Sequence, residues 1–168
     1  MTMGLAALRL LVVDDNAQMR TIVGTVLTAA GVRQLHYAPD GRRGLEAVRE
    51  FKPDVCYVDH EMPVMNGLDF ISAVRSCDRS ERYLPIIMLT GYSDMIRLNA
   101  ARDLGVTEFL CKPVTARTIL NRLNAVIMHP RPFVTASEYV GPDRRRKRMP
   151  NYRGPLRRTG DTAPARGP

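Results

Sequence analysis

Apolar residues along this chain follow two alternating rhythms. Short runs in which nearly every residue is apolar (9–13, 55–58, 84–89) are separated by stretches where apolar residues recur at helical spacing. Arg9-Leu10-Leu11-Val12-Val13 is a β-rich run that ends in Asp14-Asp15-Asn16. Met19, Ile22, Val23, Val26, Leu27 and Ala30 then predict a helix, with Asn16 placed to cap it and Gly31 to stop it. Residues 34–38 predict a brief second strand, and Pro39-Asp40-Gly41 a turn. Leu45, Val48 and Phe51 share one face of a helix over 44–51, which Lys52-Pro53-Asp54 breaks. Val55-Cys56-Tyr57-Val58 reads as a buried third strand closing on Asp59. Leu68, Phe70, Ile71 and Val74 predict a third helix over 68–75, followed by a polar loop to residue 83. Residues 84–89 predict a fourth strand, ending in Thr90-Gly91. Ile96, Ala100 and Leu104 mark a weaker helix over 94–104. Phe109-Leu110-Cys111 is a short fifth strand before Lys112-Pro113. Thr115 caps a last helix with Ile119, Leu120, Leu123, Val126 and Ile127 inward.

A strand followed by a helix, repeated five times, predicts an α/β fold: a five-stranded parallel sheet, doubly wound, with helices on both faces. The near-continuous apolar runs of the third and fourth strands suit central positions. This domain is expected over residues 7–129. After His129-Pro130 the rhythm stops, and Pro, Arg and Gly dominate. Residues 130–168 are read as a separate basic tail, mostly disordered, because they bury too little surface to offset their ordering entropy.

Charge follows the same division. The whole chain carries a formal +8. Ten Arg and Lys against three Asp and Glu give the tail +7, which leaves 15 against 14, or +1, for residues 1–129. Cys56, Cys77 and Cys111 are spaced by 21 and 34 residues, which fits no zinc pattern. They read as reduced thiols of a cytoplasmic protein. His36, His60 and His129 are scattered, and His60 reads as a bystander on the rim of the Asp59 loop. The apolar start has no basic leader segment and runs into acids, so it is not a signal peptide, and no apolar run approaches the ~20 residues of a membrane span.

The chemistry lies at the strand ends. Asp59 alone could be a nucleophile, a metal ligand or a turn residue. Asp14-Asp15 alone could be acids at a helix start. Thr90 could be a turn residue and Lys112 a solvated charge. In a parallel sheet, however, all these strand ends share one edge, where ligands bind. Three crowded carboxylates there call for a hard divalent cation, Mg²⁺ above all. Lys112 and Thr90 add a positive charge and a hydroxyl donor. Such a set suits a phosphoryl group, with Asp59 as nucleophile and the metal bridging it to Asp15.

Residues 7–129 resemble a response-regulator receiver domain of the single-domain, chemotaxis-regulator type. The resemblance rests on Asp14 and Asp15, on Asp59 in Asp-x-x-Met-Pro-x-Met-Asn-Gly, on Thr90-Gly91 and on Lys112-Pro113. It implies the flavodoxin-like (βα)5 fold. It also implies Mg²⁺ on Asp14, Asp15, Asp59 and the backbone carbonyl of Glu61, and a cis Lys112-Pro113 peptide. The implied partner is a sensor histidine kinase or histidine phosphotransfer protein, whose phosphohistidine donates to Asp59. Thr90 and the aromatic position, here Phe109, are the implied switch, and output is expected on the face of helix four, strand five and helix five. Phe109 lacks a hydroxyl, so it would signal by packing. Glu61 and Tyr92 occupy the positions that set phosphoryl lifetime, and an acid and a bulky ring there favour a moderately long one. Catalysis beyond the chain's own phosphorylation and dephosphorylation is not expected. A haloacid-dehalogenase-type phosphatase has Asp-x-Asp where this chain has Asp59-His60-Glu61, and a Walker-type site is missing.

The tail holds Arg144-Arg145-Arg146-Lys147-Arg148 but no DNA-reading module. It could be a solvated extension. It could dock a protein or fold back on its own receiver through Phe133, Tyr139, Val140 and Tyr152. It could contact nucleic acid or anionic lipid by charge. Receiver-gated polyanion binding and a phosphate sink without output are the alternatives to signalling by protein contact.

Overall fold

The computed structural model describes residues 4–91, 95–136 and 139–144. Five parallel strands, β1 (Arg9–Val13), β2 (Gln34–Ala38), β3 (Val55–Asp59), β4 (Ile86–Thr90) and β5 (Glu108–Cys111), form one sheet in the order β2-β1-β3-β4-β5. The helices between and after them are α1 (Ala17–Ala29), α2 (Gly41–Phe51), α3 (Gly67–Ser76), α4 (Met95–Asp103) and α5 (Ala116–Met128). The strand order reverses between β1 and β3, which is where an open α/β sheet forms its crevice.

Strand alternation divides the core in two. Leu11, Val13, Cys56, Val58, Ile86 and Met88 face α2, α3 and α4 through Val48, Phe70, Ile71 and Ala101. Leu10, Val12, Tyr57, Ile87 and Leu89 face α1 and α5 through Val23, Leu27, Ile119 and Leu123. Each such side chain contributes roughly 1.5–3 kcal/mol by leaving water. Both β3 and β4 are buried at every position, as central strands must be. The buried Tyr57 hydroxyl is satisfied by donating to the Ile119 carbonyl at 3.0 Å, and burial pushes its pKa up.

Helix starts follow local chemistry. Asn16 accepts from the Gln18 and Met19 amides, Asn66 from Asp69, and Thr115 forms a capping box with Thr118. Asp40, expected in a turn, is instead the cap of α2, which begins at Gly41 rather than 44.

Within the segment after His129, expected to lack order, the described residues 133–136 and 139–142 are strands. Strands β6 (Phe133–Ala136) and β7 (Tyr139–Pro142) pair antiparallel as a hairpin, and β7 packs against α3 and the 3-10 turn Ser80–Tyr83. The reason lies outside the tail. Arg75 of α3 is 5% exposed and has no carboxylate partner among the described residues. It donates to the Gly105 carbonyl twice, at 3.1 and 2.9 Å, and to the Arg82 carbonyl at 2.8 Å. The Phe133 ring covers its guanidinium at 5.1 Å. Tyr139 and Val140, two of the expected fold-back anchors, are half-buried here. Tyr152 and the basic run from Arg145 to Arg148 lie outside the described residues.

Candidate functional site

The sheet places the predicted acids side by side. Val13 and Val58 are partners in register, so Asp14 and Asp59 leave adjacent strands at the same edge. Carboxylate oxygens of Asp14, Asp15 and Asp59 lie within 4.8 Å of one another. Asp14 and Asp59 are buried, at 1% and 5% exposure, while Asp15 is exposed. The Asn16 amide donates to Asp14 Oδ1 at 2.9 Å. Oδ2 of Asp14 is buried with no hydrogen-bond partner, and Lys112 Nζ stands 3.8 Å away. Burial holds the Asp14 pKa above the usual carboxylate range. The Asn16 amide opposes that shift, Asp59 adds to it, Lys112 opposes it and Asp15 adds to it.

Lys112 follows β5, and its Nζ lies 2.7 Å from Asp59 Oδ1, a charge-assisted contact. The peptide between Lys112 and Pro113 is cis. Thr90 closes β4 and is 2% exposed; its hydroxyl donates to the Gly91 carbonyl at 3.4 Å, a weak bond. Phe109 is half-buried against the core on the α2–α3–α4 side. The Glu61 side chain is exposed. Tyr92 lies outside the described residues. His60, expected on the rim, is 7% exposed, because its amide bonds the Leu89 carbonyl and draws it into the sheet edge.

Three contributors were not anticipated in these roles. Arg20 of α1 donates to the Asp14 carbonyl at 2.6 Å and the Asp15 carbonyl at 3.2 Å, which pins the backbone of the acid pair. Nothing in a one-turn offset from a helix start marks that role. Gly67, the last residue of the Asp-x-x-Met-Pro-x-Met-Asn-Gly motif, lets α3 start directly on the end of β3: a Cβ there would collide with the Asp59 carbonyl oxygen. Gly41 likewise fits under the β3–α3 loop, where a Cβ would come 2.7 Å from the Met65 carbonyl oxygen.

The orphaned Asp14 Oδ2 and three oxygens within 4.8 Å fit a small, hard cation with oxygen ligands. A doubly wound sheet in this order, with acids and a lysine at the crevice, defines a receiver. Comparison with known proteins agrees. Residues 10–124 match the response regulator receiver domain model. The chain is 32% identical to the chemotaxis protein CheY of Thermotoga maritima over 118 residues, 70% of this chain and 96% of that one. It is 30% identical to CheY-3 of Vibrio cholerae, covering 71% and 91%. The solved structure of Vibrio cholerae CheY4 superposes with a TM-score of 0.66 at 34% identity, covering 71% and 98%. This chain belongs to the response regulator receiver family and takes part in two-component signalling. No helix among the described residues is long and apolar enough to cross a membrane.

Proposed function

We propose that Asp59 accepts a phosphoryl group from the phosphohistidine of a sensor histidine kinase or histidine phosphotransfer protein. The single observation that carries this is the Lys112–Asp59 contact of 2.7 Å beside the Asp14–Asp15 pair. An Asp59 carboxylate oxygen attacks phosphorus, the P–N bond of the phosphohistidine breaks, and the imidazole leaves with its electron pair. Lys112 follows a phosphoryl oxygen as charge moves off the carboxylate. Thr90 exchanges its weak bond to Gly91 for a second phosphoryl oxygen. Asp14, Asp15, Asp59 and the Glu61 carbonyl would hold Mg²⁺, which when bound offsets the negative charge of the transfer. Phe109 responds by repacking, and output is a protein contact on the α4–β5–α5 face. The chain catalyses only its own phosphorylation and dephosphorylation. Exposed, free Cys111 suits a reducing, cytoplasmic setting. Incubation with acetyl phosphate and Mg²⁺, followed by intact-mass measurement, tests the reading. One added phosphoryl group is expected on the wild type and none on Asp59→Asn; equal labelling of both would overturn it.

A further inference from the structure

The connection from Thr90 to Lys112 runs through α4, a turn at Gly105 and β5. The hairpin grips that connection at three successive points. At the end of α4, Arg144 Nη1 pairs with Asp103 Oδ1 at 2.8 Å and Nη2 reaches the Asp103 carbonyl at 3.2 Å. The Arg144 guanidinium lies 4.0 Å from the Tyr139 ring centroid, and the Tyr139 hydroxyl donates to the Pro142 carbonyl at 2.8 Å. At the turn, the hairpin backbone rests on Gly105 itself. A Cβ on Gly105 would lie 2.5 Å from the Val140 carbonyl oxygen, and one on Gly141 would lie 2.7 Å from the Gly105 Cα. Gly105 has φ +90 and its carbonyl is held by Arg75, so the turn is fixed from both sides. At the first residue of β5, Arg131 Nη2 reaches Glu108 Oε1 at 2.6 Å, and Arg122 of α5 stands 3.6 Å from the other oxygen. Glu108 opens the four-residue strand after which Lys112 follows.

Asp103, Gly105 and Glu108 lie at the amino edge of the sheet, opposite Asp59, yet all three fall on the segment that joins the two phosphoryl-binding side chains. As the connection is now held, the Thr90 hydroxyl bonds Gly91. We propose that the hairpin, with Arg144 and Arg131, is a built-in brace that stabilises this resting arrangement and opposes phosphoryl binding at Asp59. The inference rests on the reading of Asp59 as the acceptor. Reciprocity then follows from linkage: whatever lowers phosphoryl affinity by holding the hairpin must itself be loosened, by the same factor, when a phosphoryl group binds.

The test uses beryllofluoride with Mg²⁺ as the phosphoryl mimic on full-length protein. Titrations of wild type, Arg144→Ala and Gly141→Val are paired with amide exchange of residues 133–142. Both substitutions are expected to speed exchange in the hairpin and to tighten beryllofluoride binding by on the order of fivefold or more, the lower range of allosteric couplings. Beryllofluoride is expected to speed exchange in the wild-type hairpin by the same factor. That readout stands even if a variant fails to fold. A released hairpin with unchanged affinity overturns the brace. Unchanged exchange in both variants overturns the assignment of Arg144 and Gly141 as its anchors. Failure of the wild type to bind beryllofluoride at all contradicts the acceptor reading, and is distinguishable from either result.

Discussion

Asp14 carries the largest internal conflict of the site. One oxygen is satisfied by the Asn16 amide, whereas the other is buried without a hydrogen bond and faces Lys112 from 3.8 Å. A buried unsatisfied acceptor costs roughly 1–3 kcal/mol. Asp14→Asn keeps a polar atom there but removes a charge that burial and Asp59 disfavour, so it is expected to stabilise the metal-free protein, seen as a higher urea midpoint with an unchanged slope. The pH dependence has a definite sign. The folded pKa of Asp14 is raised above its usual value. Its favourable contribution is thus complete below the unfolded pKa and is lost as pH rises through the folded one. Metal-free stability should fall with pH across that window in the wild type, and this component should vanish in Asp14→Asn. Lys112 acts in the opposite sense, as the fixed cation against Asp59. Lys112→Met should slow labelling by acetyl phosphate on the order of a hundredfold, the usual loss for one preorganised donor, with the fold retained by circular dichroism.

At the scale of elements, the β3–α3 junction leaves no room for a side chain at Gly67. Gly67 donates its amide to the His60 carbonyl at 2.9 Å, and its Cα hydrogen faces the Asp59 carbonyl. Gly67→Ala must push α3 away from the strand end, at a cost of roughly 1–3 kcal/mol for a local overpacking. Chemical unfolding checks the stability, and slower acetyl phosphate labelling at a denaturant-free pH checks that Asp59 has shifted. The strand ends themselves were legible in the sequence, because apolar runs followed by Asp, Thr or Lys mark the carboxyl edge of a parallel sheet. Caps at Asn16 and Thr115 were legible for the same local reason. The hairpin was not. Its strands are four residues each, and they are held by Arg75, Asp103, Gly105 and Glu108, residues far away in the chain. Phe133, Tyr139 and Val140 stood out as fold-back anchors, but nothing near them in the chain marked the buried Arg75 guanidinium that Phe133 covers. Burial lowers the Arg75 pKa to about 10, which leaves it charged at neutral pH and in need of that cover.

For the molecule as a whole, the two-faced core fixes the sheet, and the sheet fixes the site. Packing at the hydrophobic faces brings carboxylates together that repel one another, so the site is held against its own electrostatics. An ion that binds only the folded arrangement should add to stability by mass action. At a hundredfold excess over its dissociation constant, Mg²⁺ is expected to stabilise the wild type by about 2.7 kcal/mol, and Asp14→Asn should lose most of that gain. The most direct test of the central claim is to find where the phosphoryl group goes. After acetyl phosphate and Mg²⁺, borohydride converts an acyl phosphate to homoserine, which peptide mapping locates. The account predicts homoserine at position 59 alone. Reduction at another residue, or none anywhere with the fold intact, would contradict it.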